Sequence, residues 1–193
     1  MSVDPRSFHL YNVTDTCSVW NVLSSTTLYR TARSAGCNFI CTAYVVYECL
    51  LKPRKSPSEA DQMLKKRLER ERSSGQFQTF HLDLDDIAET DILDQRQRVG
   101  KGELSSIAFA RKHRQALMTD DQRARKLGSA VKEMMVQTTP HLLGWLFYSA
   151  RLLDSDLSKV LGEHEEVARP LRPHFEAIYV RALELRAMER SSS

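Results

Sequence analysis

The sequence predicts an α/β protein, a three-layer α/β/α sandwich around a mainly parallel sheet, followed by a helical C-terminal extension. Short apolar runs typical of strands alternate with longer segments whose apolar residues recur at helical spacing. Glycine and proline are sparse, with 7 and 6 among 193 residues, which argues against a turn-rich all-β protein. The alternation predicts parallel pairing, because a crossover between parallel strands needs a connection as long as a helix.

Each element of this prediction follows from a local pattern. Strands are predicted at 8–13, 38–41, 77–82, 115–119 and 133–138. Helices are predicted at about 18–29, 42–51, 56–72, 104–112 and 120–127, and at a segment after Asp83 that holds Ile87, Ile92 and Leu93. Thr42, Asp83 and Asp120–Asp121 are placed to start helices, 100–102 is predicted as a turn, and Gly128 is placed to end a helix.

The chain divides into a domain over 1–139 and a helical extension over 140–193. Two apolar stripes at helical spacing mark the extension. They are Leu142, Leu143, Leu146, Phe147, Ala150 and Leu153, and Phe175, Ile178, Tyr179, Ala182 and Leu185. We expect these helices to pack on the first domain as core; a dimer interface, and hence a homodimer, is the other interpretation.

Charge and hydropathy limit the class of protein. Lys and Arg number 28 against 25 Asp and Glu, a net charge of +3 that excludes a polycation but permits a local basic surface. No apolar run approaches the about 18 residues of a membrane span. The N-terminal Met1–Arg6 lacks the basic and apolar pattern of a secretory signal. We therefore expect a cytoplasmic protein that does not enter a membrane.

Four cysteines, Cys17, Cys37, Cys41 and Cys49, lie in the first quarter of the chain. No second pair of Cys or His follows at zinc-finger spacing. We expect buried free thiols, and a zinc-binding module is the less favoured alternative.

Acidic residues follow several predicted strands. Asp15 follows the first strand, Asp120 and Asp121 follow the fourth, and Glu103 stands in the first turn of a helix. Because the carboxyl ends of parallel strands share one edge of the sheet, these side chains are expected there. Each aspartate alone is equally well explained as a helix N-cap, so it is their coincidence that points to a site.

Glu48 lies on or beside the apolar face of its predicted helix, near Tyr44, Val45 and Leu51. A buried carboxylate needs a cation or hydrogen-bond donors. The alternatives are a side chain that reaches solvent or one that pairs with a cation such as Arg33.

Converging carboxylates with no histidine among them suit a hard divalent cation, Mg²⁺ or Mn²⁺. Such an ion supports in-line displacement at a phosphodiester. The six histidines are scattered, and neither Gly-x-Ser-x-Gly nor a phosphate-binding glycine loop is present.

The ordered motifs resemble the PIN-domain family over roughly residues 8–140. The matching features are Asp15-Thr16-Cys17-Ser18-x-x-Asn21, Glu48 in an apolar helix, Gly102-Glu103 with Ala108 and Ala110, and 117–125 with its Thr-Asp-Asp turn. The Gly-Glu form and the helical tail are similar to a bacterial and archaeal branch of VapC-like nucleases.

This resemblance implies a PIN-like fold and a Mg²⁺- or Mn²⁺-dependent endonuclease that cuts single-stranded RNA. The metal-binding and catalytic set that it implies is Asp15, Glu48, Glu103 and Asp121, with Asp120 either in place of Asp121 or assisting it. Supporting polar residues are Ser18, Asn21 and Thr119. Asp15 and Asp121 are expected to anchor the principal ion. By analogy such a protein is a toxin neutralised by a small antitoxin protein.

Basic residues near the acidic set suit a phosphate backbone, with eight Lys and Arg against four Asp and Glu in 101–150. The candidate RNA contacts are Arg33, Lys101, Arg123 and Arg125. No aromatic stacking platform is evident in the sequence. The alternative function is a catalytically inactive PIN-fold scaffold that binds RNA or a protein.

Overall fold

A computed structural model describes residues 4–53, 56–82, 99–169 and 171–192. Within them five strands form one all-parallel sheet in the order β3-β2-β1-β4-β5. The strands are β1 Tyr11–Thr14, β2 Asn38–Thr42, β3 Gln78–Phe80, β4 Ala116–Met118 and β5 Val136–Gln137. Each strand overlaps its predicted segment, so the α/β class and the parallel sheet are confirmed.

The helices of these residues are joined to the strands by short connections. They are α1 Thr16–Ser24, α2 Thr26–Ser34, α3 Ala43–Val46, α4 Glu59–Ser73, α5 Lys101–His113, α6 Gln122–Ala130, α7 Thr139–Tyr148, α8 Asp154–Glu166 and α9 Arg172–Ser192. A π-helical turn over Tyr47–Leu51 continues α3. The helix predicted after Asp83 lies outside the described residues. None of the helices in the described ranges combines the length and apolarity needed to cross a bilayer.

Three predicted boundaries were wrong. The single helix expected over 18–29 is two helices, because Ser25 is extended and its hydroxyl accepts from the Leu28 amide at 2.9 Å to cap α2. The segment 100–102 is the N-cap and first residues of α5 rather than a turn. Gly128 does not end α6, which continues to Ala130.

Gly128 lies inside α6 for a packing reason. A Cβ at this position would come within 2.8 Å of Cδ2 of Leu117 on β4 and 3.0 Å of Cγ2 of Val136 on β5. Glycine therefore allows the helix to approach the sheet closely, and this offsets its poor helix propensity.

Alternate strand residues contribute to two buried clusters. Phe39, Cys41 and Met118 belong to the larger cluster, and Val13 and Leu117 belong to the smaller one. The larger cluster contains side chains of α1, α2, α4, α7, α8 and α9, whereas the smaller cluster contains side chains of α5 and α6. Because successive residues of a strand point to opposite faces, helices pack on both faces of the sheet.

The segment after residue 139 shares the larger cluster with the first part of the chain. Leu143 and Phe147 of α7 and Phe175 of α9 are fully buried in the cluster that also holds Trp20 and Leu28. A polar contact adds to this packing: Glu163 of α8 accepts a hydrogen bond from the Thr27 amide of α2 at 3.1 Å. The late helices are therefore integral to the core of the described chain.

Candidate active site

The order of the strands places a crevice at the carboxyl ends of β1 and β4. From β1 the chain proceeds to β2 and β3 on one side, and β4 then pairs with β1 on the other side. In open α/β sheets, ligands bind at such a switch point. Asp15 directly follows β1, and Asp120 comes two residues after β4.

Asp15 is fully buried and caps α1. Its Oδ1 accepts a hydrogen bond from the Ser18 amide at 2.7 Å, and its Oδ2 accepts one from the Thr119 hydroxyl. Burial, together with the charge of Asp120, raises the pKa of Asp15 to about 7 against the effect of these donors. The cap explains why an aspartate is compatible with this position, but the raised pKa shows that ionising it there is costly.

Asp120 is the second carboxylate of the crevice. It accepts hydrogen bonds from Nδ2 of Asn21 at 2.8 Å, from the Ser18 hydroxyl at 3.3 Å, and from both the amide (2.8 Å) and the hydroxyl (2.5 Å) of Thr139. Ser18 thus binds Asp15 through its amide and Asp120 through its hydroxyl. The polar residues predicted to support the site, Ser18, Asn21 and Thr119, all contact one of these two aspartates.

Asp121 has a different environment from Asp120. Its Oδ1 accepts hydrogen bonds from the amides of Arg123 and Ala124, both at 2.8 Å, and so it is the N-cap of α6. Asp121 contacts neither Ser18 nor Asn21 within the described residues. The neighbour that shares the crevice with Asp15 is therefore Asp120, and the role of Asp121 as a metal ligand remains a prediction.

Glu48 lies on the π-helical turn and reaches toward the start of α1. Its Oε2 accepts a hydrogen bond from the Thr16 hydroxyl at 2.7 Å, and Oε1 lies 3.7 Å from Nζ of Lys52. A Cβ at residue 102 would collide with Oε2 of Glu48, so glycine at Gly102 permits this approach. Glu48 is thus held by a hydroxyl and a lysine; the pairing with Arg33 that the sequence left open is not formed.

Glu103 and Glu48 line the same cavity of about 370 Å³. The other described residues that line it are Thr16, Cys17, Trp20, Lys52, Pro53 and Arg169. Within the described part of the chain, the Glu103 carboxylate has neither a hydrogen-bond donor nor an ion-pair partner. This cavity therefore contains the Glu103 carboxylate, which has no polar partner in the described chain, and the Glu48 carboxylate, which contacts Thr16 and Lys52.

Two pairs of carboxylates result. Asp15 and Asp120 form a closed pair joined by Ser18, whereas Glu48 and Glu103 form an open pair. The first turn of α1 connects them, since Asp15 and Thr16 are consecutive. In residues 4–53, 56–82, 99–169 and 171–192, no group of three or more His, Cys, Asp or Glu side chains is arranged to hold a metal ion.

The four predicted RNA contacts fall in different places. Lys101 is exposed at the start of α5 near Glu48, Arg123 is exposed on α6, and Arg125 lines a cavity of about 420 Å³ that also contains Asp120. Arg33 donates to Oδ1 of Asn38 at 2.9 Å and to the Cys37 carbonyl, at the amino end of β2. It therefore lies at the opposite end of the strands from the carboxylates, and its role as an RNA contact remains a prediction.

Sequence reasoning missed two cations of the cavity, Lys52 and Arg169. Arg169 follows α8, where its amide donates to the His164 carbonyl at 2.9 Å, and its side chain lines the cavity of Glu48 and Glu103. Among the described residues no carboxylate forms an ion pair with Arg169. No motif surrounds this residue in the sequence, so only the packing of the late helices could reveal its location.

The cysteines are free thiols. Cys37, Cys41 and Cys49 are buried, as predicted, and Cys17 is half-buried at the cavity of Glu48. Burial raises the pKa of Cys17 to about 11 and the pKa values of Cys37 and Cys41 to about 12. These thiols are therefore neutral at physiological pH and are poor nucleophiles there.

Comparison with protein-family models, with curated proteins and with solved structures finds no match to this chain. The resemblance to the PIN-domain family remains a prediction that rests on the motifs.

Proposed function

We propose that the chain is a metal-dependent phosphodiester hydrolase with a PIN-like three-layer fold that cuts single-stranded RNA. The observation that carries the proposal is the meeting of Asp15 and Asp120 at the switch point through Ser18, beside the Glu48 and Glu103 cavity. Two buried or half-buried acids that repel one another are an arrangement that a bound cation relieves. The proposed role in a toxin pair, the small antitoxin partner and a homodimer remain implications of the resemblance and of the apolar helices.

The donor set suits Mg²⁺ or Mn²⁺ in its chemistry. These ions prefer oxygen ligands, and Mg²⁺ is usually held by one or two carboxylates together with waters and substrate phosphates. Asp15 accepts two hydrogen bonds and a carboxylate has about four lone-pair positions, so two remain. One ion would be held between the two pairs, by Glu48 and Glu103 of the open pair and by Asp15 and Asp120 of the closed pair.

Asp120 already accepts four hydrogen bonds, so a divalent cation can bind its carboxylate only if one of the donors moves away. The longest of these bonds, 3.3 Å from the Ser18 hydroxyl, is the weakest by distance. A hydroxyl can rotate, and it can accept as well as donate. The Ser18 hydroxyl can therefore release Asp120 while the Ser18 backbone amide keeps its hydrogen bond to Asp15. Ser18 is therefore the residue that controls access between the two pairs.

A divalent ion held by these carboxylates would supply an activated water and would neutralise charge on the phosphate. The chain's own contribution is positioning and charge. The Arg169 guanidinium, which has no carboxylate partner in the described chain, is available to a phosphate in the cavity of Glu48 and Glu103. Lys52 lines the same cavity and provides a second cation.

Cleavage of labelled single-stranded RNA and DNA by the full chain, with Mg²⁺, Mn²⁺ or EDTA, tests this function. We expect metal-dependent cleavage of RNA that Asp15→Asn abolishes, because the amide removes the charge and can still contact the Ser18 amide and the Thr119 hydroxyl. Asp154→Asn, on the exposed start of α8, is the matched control and should cleave like the unaltered chain. Cleavage by Asp15→Asn at the unaltered rate would contradict the proposal.

The second candidate is a catalytically inactive scaffold that binds RNA or a protein. It is favoured by the hydrogen bonds that engage Asp15 and Asp120, which also serve to lock α1 and α7 to the sheet edge. A Mn²⁺ titration separates the two functions: binding that Glu103→Gln weakens supports the enzyme, and no binding by the unaltered chain supports the scaffold.

A further inference from the structure

Two large aromatic side chains remain exposed beside the carboxylate cavity. Tyr44 is 42% exposed and Tyr47 is 48% exposed. They are three residues apart on the continuous helical segment formed by α3 and the π-helical turn, so they lie on the same face. Neither side chain is needed for the buried clusters, which Val45 and Cys49 of the same segment join instead.

The two tyrosines share a cavity of about 590 Å³ with groups of both charges. The other described residues that line this cavity are Ala43, Glu48, Lys52, Gly100 and Lys101. Glu48 and Lys52 also line the cavity of Glu103 and Arg169. The aromatic surface and the proposed catalytic cavity are therefore neighbours on either side of Glu48.

We propose that Tyr44 and Tyr47 form a stacking surface for the unpaired bases of single-stranded RNA, with its phosphates held by Lys52 and Lys101. The inference rests on the proposed function for placing a nucleic acid at this edge of the sheet. Aromatic side chains interspersed with cations are the pattern by which proteins hold single strands with little sequence preference. The sequence alone did not indicate a platform, because the two tyrosines fit the apolar spacing of an ordinary helix.

Charge complementarity favours a nucleic acid over an apolar protein segment at this surface. Two lysines flank the tyrosines, and a strand of nucleic acid presents bases and phosphates in alternation. An apolar protein helix would remove water from Lys101 and from the Glu48–Lys52 ion pair and would supply no polar group in its place, which is costly. A base within a duplex has its faces occupied by neighbouring base pairs, so the surface selects single strands.

The test measures binding of a fluorescently labelled 12-nucleotide oligouridylate to the full chain by anisotropy, in EDTA so that metal-dependent cleavage cannot occur. We expect Tyr44→Ala and Tyr47→Ala each to weaken binding by about 5- to 100-fold, as the loss of one stacked base does. Tyr44→Phe and Tyr47→Phe keep the ring and should bind within about twofold of the unaltered chain. Tyr11→Ala is the matched control, because Tyr11 is 56% exposed at the amino end of β1 and should leave binding unchanged.

Three results would overturn the inference: no binding of the single strand by the unaltered chain, unchanged binding by both alanine variants, or equally tight binding of a duplex of the same length. Circular dichroism of each variant verifies that the loss is not one of folding, and normal binding by the phenylalanine variants verifies the same point independently. A single strand that binds through Tyr44 and Tyr47 but is never cut with Mg²⁺ or Mn²⁺ would contradict the proposed function and leave this surface intact. Metal-dependent cleavage together with unaltered binding by the alanine variants would contradict only the surface.

Discussion

Adjacent acids at the end of β4 have separate tasks. Asp121 uses one carboxylate oxygen to cap α6, whereas Asp120 turns toward Ser18 and Asn21. The sequence predicted that this pair lies at the edge of the sheet, but two aspartates in a row leave the register open. The choice depends on which backbone amides are unpaired at the start of α6, and that is a property of the folded chain.

Substitution of each aspartate by asparagine should separate these tasks. Asp120→Asn removes the charge and presents an NH₂ group to donors on Asn21 and Thr139, so we expect cleavage to fall by more than about 100-fold, since even residues that merely orient metal ligands contribute about 10- to 100-fold. Asp121→Asn keeps a good N-cap, so activity and thermal stability should change little. Cleavage rates and thermal denaturation of the two variants check this expectation. A larger loss of activity in Asp121→Asn than in Asp120→Asn would contradict it.

The raised pKa of Asp15 makes the free energy of unfolding depend on pH. Well below pH 3.8 the residue is protonated in both states; between 3.8 and about 7 the unfolded chain loses the proton while the folded chain keeps it. This contribution to stability is therefore complete only well below pH 3.8, is lost as the pH rises toward 7, and changes no further above about 7. Asp15→Asn should gain stability over the unaltered chain across that window, by up to roughly 4 kcal/mol. Urea denaturation in EDTA at pH 4, 5.5 and 7.5 measures this, and a difference between the two chains that is independent of pH would refute it.

The first turn of α5 leaves space for a carboxylate of the cavity. Gly102 is buried in the first turn of this helix, where a glycine is unfavourable for the helix itself. Its lack of a side chain lets the Glu48 carboxylate lie against the helix and within 2.7 Å of the Thr16 hydroxyl. Glycine at this position therefore lowers the helix propensity of α5 but leaves space for the Glu48 carboxylate.

Gly102→Ala tests whether the site needs this space. The methyl group would displace the Glu48 carboxylate, so we expect cleavage to fall at least tenfold, although alanine favours the helix by about 1 kcal/mol. Gly162→Ala is the control, because Gly162 lies within α8 with no atom within 4 Å of an added Cβ. It should raise stability by about 0.5–1 kcal/mol and leave activity unchanged. Equal activity in the two variants would show that Glu48 does not need this space.

Most of the strands and helices could be predicted from the sequence, because apolar residues recur with clearly different periods in strands and in helices. The predicted cap Thr42 is also present in the structure. The boundaries at Ser25 and Gly128 could not be predicted, since a serine that caps within an apolar stripe and a glycine that touches two strands are decided by tertiary packing. The same holds for Tyr44 and Tyr47, whose exposure depends on what the rest of the chain covers.

For the molecule as a whole, the late helices belong both to the core and to the site. Phe147 and Phe175 are buried in the cluster that holds Trp20, and Arg169 reaches the cavity of Glu48. The sequence predicted a helical extension that packs on the first domain. Because the two parts share one cluster, we expect them to unfold together.

Leu143→Ala checks this expectation. Leu143 is fully buried on α7, so the change should lower the free energy of unfolding by about 2–5 kcal/mol. In a Trp145→Phe background the remaining fluorescence reports on Trp20 alone, and its transition should shift with the transition seen by circular dichroism. A Trp20 transition that does not move would show that the two parts unfold independently.

We propose that carboxylates distant in sequence bind one divalent ion at the carboxyl ends of β1 and β4, and a calorimetric titration of the full chain with Mn²⁺ measures this binding. We expect saturable binding by the unaltered chain that Asp15→Asn and Asp120→Asn each weaken by more than about tenfold, while Asp121→Asn binds as the unaltered chain does. Absence of Mn²⁺ binding by the unaltered chain, or binding by Asp15→Asn and Asp120→Asn as tight as that of the unaltered chain, would contradict the claim.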